Sequence, residues 1–268
     1  MQNNIFRILA LGDVVGKAGV NARCAGLPRL KSRLGADLTV VNGENATEPN
    51  GLCVDDARRI FAAGADVITG GNHILRQRDM LAFLDETRSV LRPANYPPLC
   101  PGRGCAIVGA ASGLRVLVVN LMGQVFMQQC DNPFICAQTL LKENAGEYDL
   151  AVCDIHAEAS SEKQAFGLAF DGKFAAVFGT HTHVPTADCQ VLPQGTGYMT
   201  DLGMCGVRRG TVLGVDPACI IRRFTTGVGE KFERPEKGAA ELDGALFEYD
   251  ISAGRCTCAV RVEELITE

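Results

Sequence analysis

Short apolar runs alternate with polar, glycine-containing turns through the first two thirds of the chain. Ile5–Leu11, Leu38–Val41, Val67–Thr69, Arg115–Asn120, Asp149–Asp154 and Phe174–Phe178 have strand length and are rich in aliphatic or aromatic residues, so each reads as a buried strand. Between them, helices are expected over Ala25–Leu34, Asp55–Ala63, Asp79–Thr87 and Pro133–Asn144, with Gly64 stopping the second. ANYPPLCPGRG, residues 94–104, reads as loop because its prolines and glycines break any period. Beyond about Thr186 the runs CQVLP, TGYMT, CIIRRFTT, GALFEYDI and CTCAVRVEE all look β-like, and no helix is expected there. The pattern predicts an α/β fold with two sheets, one βα-built and one mostly from the C-terminal third. Packed face to face with helices outside, they would form a four-layer α/β/β/α sandwich. No repeat, low-complexity stretch or linker interrupts the chain, so residues 1–268 read as a single domain.

The polar residues that follow the strands carry the candidate chemistry. Asp13 follows IFRILAL in LALGDVVG, Glu44 and Asn45 lie in VVNGENA, and Asn72 and His73 lie in GGNHIL. His156 stands in DIHAEASSE, and His181 and His183 in GTHTHVPTAD, which accounts for all four histidines. In an α/β sheet, such positions share the carboxyl edge of the strands. Asp, Glu, Asn and His together suit iron, manganese or zinc better than copper or calcium. His181 and His183 are two apart, which in extended backbone projects both to one side. Each segment has a plainer reading: Asp13 as a cap or turn residue, Glu44 as a surface carboxylate, Gly70-Gly71-Asn72 as an ordinary turn. Their joint occurrence with every histidine favours a metal site.

Other chemistries lack their signatures. Gly12 and Gly16 have three residues between them, and Lys17 precedes Ala18, so the segment does not meet the P-loop pattern. There is no G-x-G-x-x-G and no G-x-S-x-G. Twelve cysteines include no C-x-x-C pair, which disfavours a zinc knuckle or iron–sulfur cluster; most are expected to be buried, reduced thiols. Composition is that of a globular protein, 47% hydrophobic and 21% charged. A net charge of −5 gives no sign of stable nucleic-acid or membrane-surface binding. No run approaches the ~18 apolar residues of a membrane span. The N-terminal apolar run is too short for a signal sequence and leads straight into Asp13, so a cytoplasmic location is expected.

The segments GDVVG, NGEN, GNH, D-x-HAEA-x-SEK, GTHTHV-x-TAD and Y-x-TD-x-GM-x-G, in this order from Gly12 to Gly206, resemble those of calcineurin-like metallophosphoesterases. Within that group the chain is similar to the bacterial YmdB family of 2′,3′-cyclic-nucleotide phosphodiesterases. The resemblance implies two metal ions per chain, divalent or mixed-valence, as a rule iron, with manganese or zinc as alternatives. Asp13, Glu44, Asn45 and His183 would serve one metal. Glu44, Asn72, His156 and His181 would serve the other, with Glu44 bridging and His73 as proton donor. The sequence departs from the wider group, which begins Asp-x-His: Val14 and Val15 follow Asp13, and Asn45 would fill the missing position. The expected reaction is attack of a metal-bridging hydroxide on the phosphorus of a small cyclic nucleotide. Homo-oligomers are frequent in the family. A non-catalytic metal- or nucleotide-binding regulator, and a phosphomonoesterase or 5′-nucleotidase, remain alternatives.

Overall fold

The structure, a computed structural model, describes residues 4–229, 231–236 and 238–266. Its first half alternates strand and helix: β1 (Ile5–Leu11), β2 (Asp13–Val14), α1 (Gly16–Leu34), β3 (Leu38–Asn42), α2 (Val54–Ala62), β4 (Val67–Thr69), α3 (Arg78–Glu86) and β5 (Val90–Leu91). There follow β6 (Cys105–Gly109), β7 (Arg115–Met122), α4 (Pro133–Glu143), β8 (Leu150–His156), α5 (Ser160–Ala169) and β9 (Ala176–Thr180). The remainder holds β10 (Gln190–Val191), β11 (Gly197–Met199), β12 (Met204–Gly206), α6 (Pro217–Thr226), β13 (Ala240–Asp250) and β14 (Arg255–Ile266).

The fold is mixed α/β, with two sheets. The first runs β2-β12-β13-β1-β3-β4-β5, with β14 paired to β13; the second runs β10-β11-β9-β8-β7-β6. Strands β1, β3, β4 and β5 are mutually parallel, as are β7, β8, β9 and β11. Burial explains why these strands read as continuous apolar runs: both faces are covered. On β1, Phe6, Ile8 and Ala10 enter a cluster shared with Val116, Val118, Val152 and Phe178 of the second sheet. The intervening Leu9 and Leu11 pack with Leu27 and Leu30 of α1 and Ile60 of α2. On the second sheet, Leu117, Val119, Cys153 and Ile155 pack against Ala137 of α4 and Phe166 of α5.

Several expectations are corrected. Of the C-terminal runs only CQVLP and TGYMT, as β10 and β11, join the second sheet. β13 pairs antiparallel with β1 from Ile5↔Asp250 to Leu11↔Gly244 and so enlarges the first sheet, while the second comes from the middle of the chain. The open edge of β1 accepts β13 closely: a Cβ on Gly244 would lie 2.2 Å from the Ala10 carbonyl oxygen. Helix α1 starts at Gly16 rather than Ala25, hidden by weak helix formers at Gly16, Gly19, Gly26 and Pro28. Gly19 is required by a close approach, since its Cβ would meet the Cys205 carbonyl oxygen at 2.3 Å. Finally, CIIRRFTT is helical, not β-like. Asp216 caps α6 by accepting from Ala218 N at 2.8 Å, and Pro217 occupies the first turn, outweighing the β-branched composition. Helix α5 was not anticipated. All twelve cysteines are free thiols, but only Cys153, Cys205, Cys219 and Cys256 are buried, so most are half-buried instead. Among the described residues no helix is long and apolar enough to cross a membrane.

Candidate active site

The five polar segments meet at one seam between the sheets. Asp13 opens β2, Glu44 and Asn45 follow β3, and Asn72 and His73 follow β4, all from the first sheet; His156 ends β8, and His181 and His183 follow β9, from the second. Their contacts fall into two groups that share Glu44. In one, His156 Nε2 lies 3.3 Å from Glu44 Oε1, 3.1 Å from Asn72 Oδ1 and 3.0 Å from His181 Nδ1. In the other, His183 Nε2 lies 3.7 Å from Asp13 Oδ1 and 3.2 Å from Asn45 Nδ2, which also donates to Glu44 Oε1 at 3.0 Å. His73 Nδ1 sits 2.9 Å from Asn45 Oδ1 and 3.2 Å from Glu44 Oε1. Gly71 allows this density: a Cβ there would come within 2.3 Å of both Glu44 Oε2 and His156 Nε2.

The partners of the imidazoles decide which nitrogen keeps a lone pair. Thr180 donates its hydroxyl proton to Asp154 Oδ1 at 2.7 Å and therefore accepts from His156 Nδ1 at 2.9 Å. That leaves the lone pair of His156 on Nε2. The Leu213 carbonyl, an acceptor only, faces His183 Nδ1 at 3.2 Å and leaves His183 Nε2 free. Glu158 Oε2 faces His181 Nε2 at 3.0 Å, leaving the lone pair on Nδ1. Two lone pairs, His156 Nε2 and His181 Nδ1, thus point at each other across 3.0 Å, a repulsive arrangement unless a cation or proton lies there. With protons alone, burial opposes charge on His156, but adjacent Glu44 outweighs it and holds its pKa up to about 9. Burial, joined by His156, pushes His181 down to about 3. Burial also opposes the charge of Glu44, yet His156 and His73 keep it ionised well below the usual range. Asp13 Oδ1 is buried without a hydrogen-bond partner, which costs about 1–3 kcal/mol unless a cation is present. The donor set fits metal ions on these grounds; Glu44, His156 and His181 alone bring three ligand atoms within 4.8 Å of one another.

The THTH turn differs from the expected extended backbone. His181 (φ 101°) and His183 (φ 63°) both occupy the left-handed region, so the turn sends His181 to His156 and His183 to Asp13. Such strain costs about 1–3 kcal/mol per residue and needs support. His181 N donates to Asp13 Oδ2 at 3.0 Å, and Thr182 N to Asp201 Oδ2 at 3.1 Å. Asp201 is itself paired with Lys163 Nζ at 2.6 Å, both side chains buried.

A cavity of about 530 Å³ opens over the site. Glu44, His73, His181 and His183 line its floor; Val212, Leu213, Val215, Ile220, Phe224 and Phe232 make an apolar wall, with Arg223 and Arg234 beside it. Helix α6 supplies Ile220 and Phe224 of that wall and Arg223 beside it. A sequence model of the YmdB-like protein family matches residues 9–262.

The chain belongs to the YmdB-like family. A 2′,3′-cyclic-nucleotide 2′-phosphodiesterase of Bacillus subtilis (strain 168) is 40% identical over 261 residues, 97% of each chain. The crystal structure of a novel phosphatase from Mycoplasma pneumoniae superposes with a TM-score of 0.92 at 36% identity, covering 99% of this chain and 95% of that one. A hypothetical protein from Thermus thermophilus gives 0.89 at 36% identity, covering 97% and 99%. The chain is an enzyme of the phosphoesterase type.

Sequence reasoning about this YmdB-like enzyme missed the supporting residues. Asp154, with Thr69 Oγ1 at 2.5 Å and Asn42 Nδ2 at 3.2 Å on its Oδ2, anchors Thr180 and through it His156. Its signal was present: Asp154 is two residues before His156 on a strand, hence on the same face. Lys163 and Asp201 stood in the noted SEK and TD motifs without a role. No local pattern pairs them, because their contact spans 38 residues.

Proposed function

We propose that this YmdB-like enzyme is a cytoplasmic, binuclear-metal phosphodiesterase that hydrolyses 2′,3′-cyclic nucleotides, built as one four-layer α/β/β/α domain of the calcineurin-like kind. The observation that carries the reading is the pair of donor groups sharing Glu44 on the floor of a nucleotide-sized cavity. Asp13, Glu44, Asn45 and His183 would hold one ion and Glu44, Asn72, His156 and His181 the other, with iron the first candidate and manganese or zinc behind it. When bound, such ions supply Lewis-acid charge to the phosphoryl oxygens and a hydroxide nucleophile at neutral pH.

The residues of the chain do the remaining work. Thr180, Leu213 and Glu158 keep the imidazole lone pairs aimed inward. The apolar wall excludes water and receives the base. His73, at the cavity floor with its side chain 21% exposed, delivers a proton to the departing ribose oxygen. Asn45 Oδ1 at 2.9 Å and Glu44 Oε1 at 3.2 Å both accept from His73 Nδ1 and so orient the ring for that role.

The test is metal analysis of anaerobically purified protein, together with rates on 2′,3′-cyclic nucleotides, bis-(p-nitrophenyl) phosphate and phosphomonoesters. Two metal equivalents and a preference for the cyclic diesters are expected. Faster monoester turnover would make the enzyme a phosphatase. No turnover with iron or manganese loaded would leave a binding protein.

A further inference from the structure

The active-site cavity continues into a second one of about 580 Å³. The two share Pro49, Asn50, Arg223, Phe232 and Arg234, so they are two ends of one groove. Glu44, His73, His181 and His183 line only the first end. Each end by itself matches the size of an ordinary small-ligand site. A nucleoside cyclic phosphate fills one, and the other is surplus to it.

The surplus end has a definite chemistry. Arg223, Lys231 and Arg234 line it against one carboxylate, Glu48, among the described residues. This is a cationic groove on a chain whose net charge is −5. Arg234 is fixed by its own hydrogen bond, Nη1 to the Asn45 carbonyl at 3.3 Å, which places it between the metal-facing residues and the outer end. The Arg223 guanidinium lies over the Phe232 ring, 5.5 Å from its centroid, which orients its donors while leaving them for an anion. Guanidinium forks match phosphate oxygens better than they match a neutral group.

The connectivity of ribose says which phosphate. A ribose has three points of attachment: the base, the 2′,3′ edge and the 5′ carbon. With the cyclic phosphate on the floor and the base on the apolar wall, the 5′ substituent is what remains to enter the outer end. We propose that substrates of this enzyme carry a second phosphate, on the 5′ oxygen of the ribose whose 2′,3′-cyclic phosphate is cleaved, and that Arg223, Lys231 and Arg234 bind it. The inference rests on the phosphodiesterase reading above. Two substrates offer that group: a 5′-phosphorylated mononucleotide, and an oligoribonucleotide ending in a 2′,3′-cyclic phosphate.

The metal-loaded enzyme should be assayed on adenosine 2′,3′-cyclic phosphate, its 5′-phosphorylated form, and the dinucleotide ApA ending in a 2′,3′-cyclic phosphate. The 5′-phosphate should raise kcat/KM about 10-fold or more, mostly through KM, with the preference shrinking as salt rises. A gain on the mononucleotide alone assigns the groove to free nucleotides; an equal or larger gain on the dinucleotide assigns it to RNA ends. The Arg223→Ala/Lys231→Ala variant should bring the three substrates within about 2-fold of one another, a ratio taken within one preparation and so insensitive to its active fraction. Lys231→Glu should disfavour the 5′-phosphate outright. Equal kcat/KM on all three substrates by the wild type would overturn this inference and leave the phosphodiesterase reading in place. A preference that survives both variants would remove these residues from the subsite. Cleavage of none of the three would overturn both readings.

Discussion

Replacing Thr180 by Val removes one hydroxyl and almost no volume at the best-connected buried contact of the site. That hydroxyl accepts from His156 Nδ1 at 2.9 Å, donates to Asp154 Oδ1 at 2.7 Å and meets Asn42 Nδ2 at 3.2 Å. Asn42 loses little, because its amide still reaches the Gly70 carbonyl and Asp154 Oδ2. His156 Nδ1 and Asp154 Oδ1 are left buried and unpaired. At about 1–3 kcal/mol for each orphaned group, the metal-free protein should lose about 2–6 kcal/mol. The loss of the tautomer lock on His156 should weaken metal binding about 10–100-fold. Urea unfolding of metal-free protein at pH 8, where Asp154 is ionised, measures the first effect. Competition against a chromophoric chelator for Mn²⁺ measures the second. Thr180→Ser keeps the hydroxyl and loses a methyl, so it should stay within about 1 kcal/mol of wild type. A Thr180→Val protein within about 0.5 kcal/mol of wild type, with unchanged metal affinity, would refute the account of how His156 is oriented.

Glu44→Gln preserves shape but removes the charge that both donor groups share, so metal content and turnover should fall together; near-normal turnover would exclude a bridging role. His73→Ala should retain both metals while kcat on a cyclic nucleotide drops about 10²-fold, and the defect should shrink when the leaving group is p-nitrophenolate. Lys163→Met leaves Asp201 buried without its partner beneath the THTH turn, and urea unfolding should register a loss of about 3–5 kcal/mol. Asp243 provides a pH test away from the metal-facing residues: burial pushes its carboxyl up to about 6, against the pull of Arg208. Because that value lies above the unfolded one, ionised Asp243 costs stability at neutral pH, and the cost is relieved as pH falls from about 6 toward 4. Asp243→Asn should therefore gain most over wild type above pH 6 and lose that advantage near pH 4; a gain constant with pH would point to packing instead.

The strands and the polar residues that end them were legible in the chain. A buried strand must be a short apolar run, and a turn at its carboxyl end must be small or polar, so Asp13, Glu44, Asn45, Asn72, His73, His156, His181 and His183 could be named without coordinates. Their order and spacing also carried the family resemblance. Local rules are enough for this, because each signal spans only a few residues.

What the chain did not disclose depends on contacts between distant residues. GALFEYDI alternates as any strand would, and only the open edge of β1 decides that β13 joins the first sheet. CIIRRFTT has strand composition, yet Asp216, Pro217 and a single half-buried face make it a helix, which brings Ile220 and Phe224 to the cavity wall. The THTH pair takes left-handed backbone rather than extended, because Asp13 and Asp201 hold it there from 168 and 19 residues away, with Asp201 paired in turn to Lys163 across 38 residues. The lone pairs of the three inward-facing imidazoles are likewise set by Thr180, Leu213 and Glu158; Thr180 and Glu158 stand in the motifs, but nothing local says which nitrogen each one faces. Sequence alone determined which side chains are available for chemistry here. Tertiary structure alone decided where their lone pairs and charges point, since that direction is imposed by partners that only folding brings within hydrogen-bond reach.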